Sequence, residues 1–148
     1  MRRVLTSFLG LLLVLQYSVV PAMGQEDSRR IVGRWRPLKL TIPGQHHITP
    51  EQLEHIVLTF EDGGTYTSTG GPQVEKGTYE LDPAKEPKWI TMTVQQGPAA
   101  GSTMHGIYSF TNDHLTIVYP LQPGAPRPTR LSTQDAGSWV TVEYIRLE

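Results

Sequence analysis

Cysteine is absent from the 148 residues. That excludes a disulfide framework, a thiolate nucleophile and a lipid anchor on sulfur. Asparagine occurs once, at Asn112, and Asp113-His114 follow it, so the chain has no N-glycosylation acceptor. Lys and Arg number 13 against 14 Asp and Glu. Without a basic surplus to neutralise phosphates, nucleic acid is not an expected partner. No Gly-rich phosphate loop is present, and Ser102 and His105 lie close in sequence without a nucleophile elbow or an orienting acid. Glu61-Asp62 precede Gly63-Gly64 and read as solvated turn formers, not as a placed pair of catalytic carboxylates. Internal repeats and low-complexity tracts are also missing. These absences point to a protein that is not an enzyme and that needs no cofactor.

What is present begins with Met1-Arg2-Arg3, then an almost unbroken apolar stretch from Val4 to Val20, then Pro21 and the small-residue pattern Ala22-Met23-Gly24. That order predicts a secretory signal peptide over residues 1–24. Gln16 and Ser18 weaken the run as a retained anchor, and no basic cluster follows at once, so no membrane span is expected after cleavage. Arg2 and Arg3 leave with the leader, which takes the net charge from −1 to −3. The remaining 124 residues suffice for one domain with a core. The expected product is an exported monomer, periplasmic or secreted, with a polar linker over 25–30 and one domain over 31–148.

Beyond the linker, Thr, Val, Ile, Tyr, Phe and Trp recur in short runs punctuated by Gly and Pro. Eight strands are predicted: Val32–Thr41, Ile56–Phe60, Thr65–Thr69, Gly77–Asp82, Lys88–Val94, His105–Phe110, His114–Tyr119 and Ser138–Leu147. Alternation is clear at Ile56/Leu58/Phe60, Ile90/Met92/Val94, Leu115/Ile117/Tyr119 and Val140/Val142/Tyr144. Pro37 interrupts the first run and shifts its phase, which predicts a bulge. Thr49-Pro50-Glu51-Gln52 carries the only helix-start signal, a cap with proline at the first helical position. Hairpin-sized connections make neighbours antiparallel in sequence order, and closing the sheet removes both edges. The predicted class is therefore all-β, an eight-stranded antiparallel up-and-down barrel with a short helix between the first two strands. A β-sandwich is the alternative. In the barrel, the short connections 61–64, 83–87 and 111–113 share one closed end, and the longer ones crowd an open mouth.

Several segments carry a resemblance. Ile31-Val32-Gly33-Arg34-Trp35 is followed by Leu58-Thr59-Phe60-Glu61-Asp62-Gly63, Glu75-Lys76-Gly77-Thr78-Tyr79-Glu80-Leu81-Asp82 and Pro87-Lys88-Trp89-Ile90. Gly106-Ile107-Tyr108, Asn112-Asp113-His114-Leu115, Arg127-Pro128 and Tyr144-Ile145-Arg146 complete it. The pattern resembles the lipocalin-like (calycin-type) domain of a family of exported proteins abundant in planctomycete bacteria, and covers essentially the whole mature chain. It departs at Thr91, where that family usually has Asp, and at Leu131, where it usually has Phe. The resemblance implies a fold and no activity. It further implies that Arg146 packs over Trp35, with Gly33, as a structural plug of the closed end. Strand parity agrees, because an even number of up-and-down strands brings Trp35 and Arg146 to the same end.

Phe60, Tyr66, Tyr79, Met92, Tyr108 and Tyr119 are the inward candidates for lining a ligand site. Strands of 5–7 residues favour a filled or shallow interior over a deep one. His46, His47, His55 and His105 fall near the mouth, where clustered imidazoles with Glu51, Glu54 or Glu75 could hold a metal or haem, although their spacing is not diagnostic and ordinary surface histidines are the simpler reading. Pro120 to Pro128 contains four prolines and is either a lid or a plain connector. Three functions follow in order: binding a small apolar or amphipathic ligand at the open end; a structural or protein-interaction module of the cell envelope with a filled barrel; and metal or haem binding at a His-rich mouth.

Overall fold

The computed structural model describes residues 23–45, 48–71, 73–131 and 138–148. The predicted leader lies outside them except for Met23 and Gly24, and His46 and His47 lie outside them altogether. The elements are α1 (Met23–Ile31), β1 (Gly33–Thr41), α2 (Pro50–Leu53), β2 (Val57–Glu61), β3 (Thr65–Thr69), β4 (Glu75–Asp82), β5 (Lys88–Gln96), β6 (Thr103–Thr111), β7 (His114–Pro120) and β8 (Trp139–Leu147). The strands pair in sequence order, every pair is antiparallel, and β8 returns to β1 to close the barrel. The all-β, up-and-down barrel is thus the fold, and the sandwich is not.

The closing seam shows how sequence sets register. Trp35 stands opposite Arg146, and the pairing slips between Pro37 and Lys39. Proline has no amide hydrogen to give the ladder, so the chain bulges there, Leu38 is left over, and Leu40 pairs with Val142. At the β6–β7 turn only Asn112 and Asp113 separate the paired residues Thr111 and His114. Asn112 adopts φ 52°, the left-handed conformation that two-residue hairpins need and that asparagine tolerates. Three strands, β4, β5 and β6, run to eight or nine residues, longer than the predicted Gly77–Asp82, Lys88–Val94 and His105–Phe110. Among the extra residues, Glu75, Lys76 and Gln96 are polar and pair through backbone groups that any side chain supplies, while Gln95 is passed over where the register shifts.

The segment 25–30 corrects the reading of it as a linker, because it is helical. Glu26 in the first turn and Arg29 and Arg30 in the last complement the helix dipole. Asp27 and Ile31, four residues apart and so on one face, are both buried. This face lies against the barrel's closed end. Tyr108 Oη donates to Asp27 Oδ2 at 2.6 Å, and Lys88 Nζ donates to the same oxygen at 2.8 Å. Trp35 Nε1 donates to the Ile31 carbonyl at 2.7 Å. The helix is therefore a stopper held by a buried acid, and its one buried apolar side chain, Ile31, joins the core. At the opposite end α2 begins at Pro50, as its start signal predicts, and the Gln52 side chain accepts from the Thr49 amide at 3.0 Å. Leu53 is buried there.

Candidate functional site

Alternation places Phe60, Tyr66, Tyr79, Met92 and Tyr108 in the core, with Tyr119 packed against it, but depth divides them into two groups. Phe60, Tyr79 and Tyr108 belong to the filled lower half. Phe60 and Tyr79 meet edge to face at 4.8 Å, and Tyr108 meets Phe110 likewise at 5.6 Å. Tyr79 Oη donates to the Glu61 carbonyl at 3.0 Å and Tyr108 Oη to Asp27, so both hydroxyls are spent on the fold. Burial raises the pKa of both phenols.

The seam residues share this lower half. The Arg146 guanidinium lies 4.4 Å from the Trp35 ring centroid. It also donates to the Val32 carbonyl at 2.8 Å and to the Arg30 carbonyl, tying β8 to the end of α1. Gly33 has φ +137°, and a Cβ there would overlap Arg146 Nη1. The glycine is thus the vacancy into which the guanidinium fits.

Tyr66, Met92 and Tyr119 line a chamber of about 130 Å³ in the mouth half. Sequence reasoning did not single out its other walls as ligand-lining: Leu58, Ser68, Ile90, Met104, Gly106, Ile117 and Tyr144. Leu58, Ile90, Ile117 and Tyr144 lie in the alternating runs, yet alternation reports the face of a side chain and not its height in the tube. Glu75, considered above only as a metal ligand, is the chamber's one charged wall among the described residues. Tyr66 Oη donates to Glu75 Oε1 at 2.9 Å. Burial and then Glu75 push Tyr119 up to about 12. Burial first, then Tyr119 and Glu75, push Tyr144 well above the ordinary phenol value. All three phenols therefore stay protonated donors across the physiological range.

Of the candidate histidines, His46 and His47 lie outside the described residues, and His55 and His105 are not brought together. His55 is exposed, with Nε2 3.4 Å from the Glu54 carboxylate. His105 alternates to the outer wall of the barrel, where its Nδ1 accepts from Arg127 Nη2 at 3.3 Å. Among the described residues no group of three or more His, Asp or Glu side chains is placed to hold a metal ion.

The described part of the proline-rich connection, residues 120–131, also lies outside the barrel and not across the mouth. The Gly124 amide donates to the Thr103 carbonyl at 3.2 Å. Arg127 donates to the carbonyls of the register pair Ile90 and Gly106, at 2.9 Å for Ile90, and to Thr91 Oγ1 at 3.0 Å. Its guanidinium stacks 4.4 Å from the Trp89 ring. Burial lowers the pKa of this guanidinium, and its bonds to backbone oxygens explain why it is held there. Thr91 gives Arg127 a hydroxyl acceptor, and the Asp82 carboxylate favours its charged form. The segment is a strap against the wall, with Pro128 buried.

Neither a protein-family model nor a curated protein matches this chain.

Proposed function

We propose that this is an exported, lipocalin-like domain that binds a small apolar or amphipathic ligand in the open half of its barrel, as a monomer and without chemistry. The observation that carries the reading is the chamber of about 130 Å³ above a filled base. A barrel selected only as a rigid module has no reason to leave it, since a larger side chain at Ser68 would occupy it. The filled-barrel alternative is disfavoured on the same ground. Ser102 is no nucleophile in waiting, because its hydroxyl donates to the Ala99 carbonyl at 2.6 Å in a turn. A closed sheet leaves no edge for a partner strand. Cleavage of the leader after Gly24 would keep Asp27, Arg30 and Ile31, the residues with which α1 stoppers the base.

Native mass spectrometry of the protein purified from its own host tests this reading. A small-molecule adduct that survives gentle ionisation and leaves on denaturation is expected. Ser68→Phe, which places a ring in the chamber, should reduce its occupancy at least about tenfold, equivalent to roughly 1.4 kcal/mol. Protein without an adduct, or one retained equally by Ser68→Phe, would contradict it.

A further inference from the structure

The chamber's polarity is one-sided. Its lower and side walls are Ile90, Met92, Met104 and Ile117, and among the described residues its one charge is the Glu75 carboxylate at the mouth. One oxygen of that carboxylate accepts from Tyr66 Oη. Among the described residues no Lys, Arg or His side chain forms an ion pair with it. The cations that do pair with acids are Lys39 with Glu143, His55 with Glu54, and Lys88 with Asp27. Glu75 is also held in place. Its partner across β3 is Ser68, another chamber residue, and Gly97 of the β5–β6 connection approaches it so closely that a Cβ there would come within 3.3 Å of Glu75 Cβ and Cγ. A half-buried carboxylate with a neutral donor on one side and an apolar chamber on the other is incompletely compensated. A cation arriving from the chamber would complete it.

We propose that the ligand is a small primary amine in its protonated form, with its ammonium on Glu75 and its apolar part among Ile90, Met92, Met104 and Ile117. This rests on the reading of the chamber as a ligand site. Three arguments narrow the class. A cavity of about 130 Å³ holds roughly one aromatic ring or a short aliphatic chain, since an apolar cavity of ~150 Å³ accepts benzene. The soft thioethers of Met92 and Met104 adapt to a ring face or edge. Anionic amphipaths such as fatty acids are disfavoured, because their head group would meet the Glu75 charge among the polar walls. Tyr119 and Tyr144, which sense the same charge, add neutral phenols around the ammonium.

Calorimetric titration of the full protein with phenethylamine, phenethyl alcohol and phenylacetate tests the proposal at neutral pH and low salt. The amine should bind at least about tenfold more tightly than the alcohol, as a charge-assisted bond in a partly desolvated site requires, and phenylacetate more weakly than either. Glu75→Gln keeps an acceptor for Tyr66 and should bring amine affinity down to that of the alcohol while leaving the alcohol unchanged. If the alcohol matches the amine in the native protein, or Glu75→Gln preserves the preference, the amine proposal is overturned and the chamber still binds. If neither amine nor alcohol binds and the host-purified protein carries no adduct, the ligand-site reading falls with it. The wild-type series decides the matter even if Glu75→Gln does not fold.

Discussion

Gly33 and Arg146 illustrate how single residues fix the closed end. The guanidinium occupies the space of the missing Cβ, stacks on Trp35 and reaches two backbone carbonyls. The stack is worth about 0.5–2 kcal/mol, and an alanine at φ +137° adds backbone strain of about 1–3 kcal/mol. Gly33→Ala should therefore lower the unfolding free energy by roughly 2–4 kcal/mol in urea with an unchanged m-value; a loss under about 0.5 kcal/mol would mean the guanidinium relocates freely. The resemblance quoted from the sequence, with strand parity, made this corner legible. What they did not reveal is that Arg146 also closes the last turn of α1 through the Arg30 carbonyl, because the helix itself was not legible.

Two elements carry that lesson further. Residues 25–30 contain no apolar side chain, and the helix buries an acid on one face. Pattern reading weighs apolar period, so a face built from Asp27 and Ile31 registers as a linker. The strap likewise reads as a connector because its anchor is the lone Arg127 among prolines, satisfied by strand carbonyls that no sequence pattern marks. Both elements are fixed by a charged side chain with several partners, buried in Asp27 and half-buried in Arg127, not by a hydrophobic stripe. Arg127→Ala should release the strap and cost about 2–3 kcal/mol, since hydrogen bonds to charged groups contribute about 1.5–3 kcal/mol each and are not additive. Limited trypsinolysis at Arg130 should accelerate at least about tenfold over the native protein; an unchanged rate would show that the prolines alone hold the segment.

For the molecule as a whole, topology decides where a ligand can go. A closed meander of eight strands sends its short turns to one end, where α1 seals the tube, and its longer connections to the other. The barrel and its polarity were legible because alternation and loop length are properties of the sequence. The chamber was only half legible. Phe60, Tyr79 and Tyr108 share the inward phase of Tyr66, Met92 and Tyr119, yet register places the first three against the stopper and the second three above it. The function rests on this division between a filled base and a vacant upper half. Crystals of the protein under xenon pressure separate the two halves. One xenon position enclosed by Ile90, Met92, Met104 and Ile117 is expected, with none around Trp35 and Phe60; side chains packed through the upper half, with no xenon there, would contradict the division.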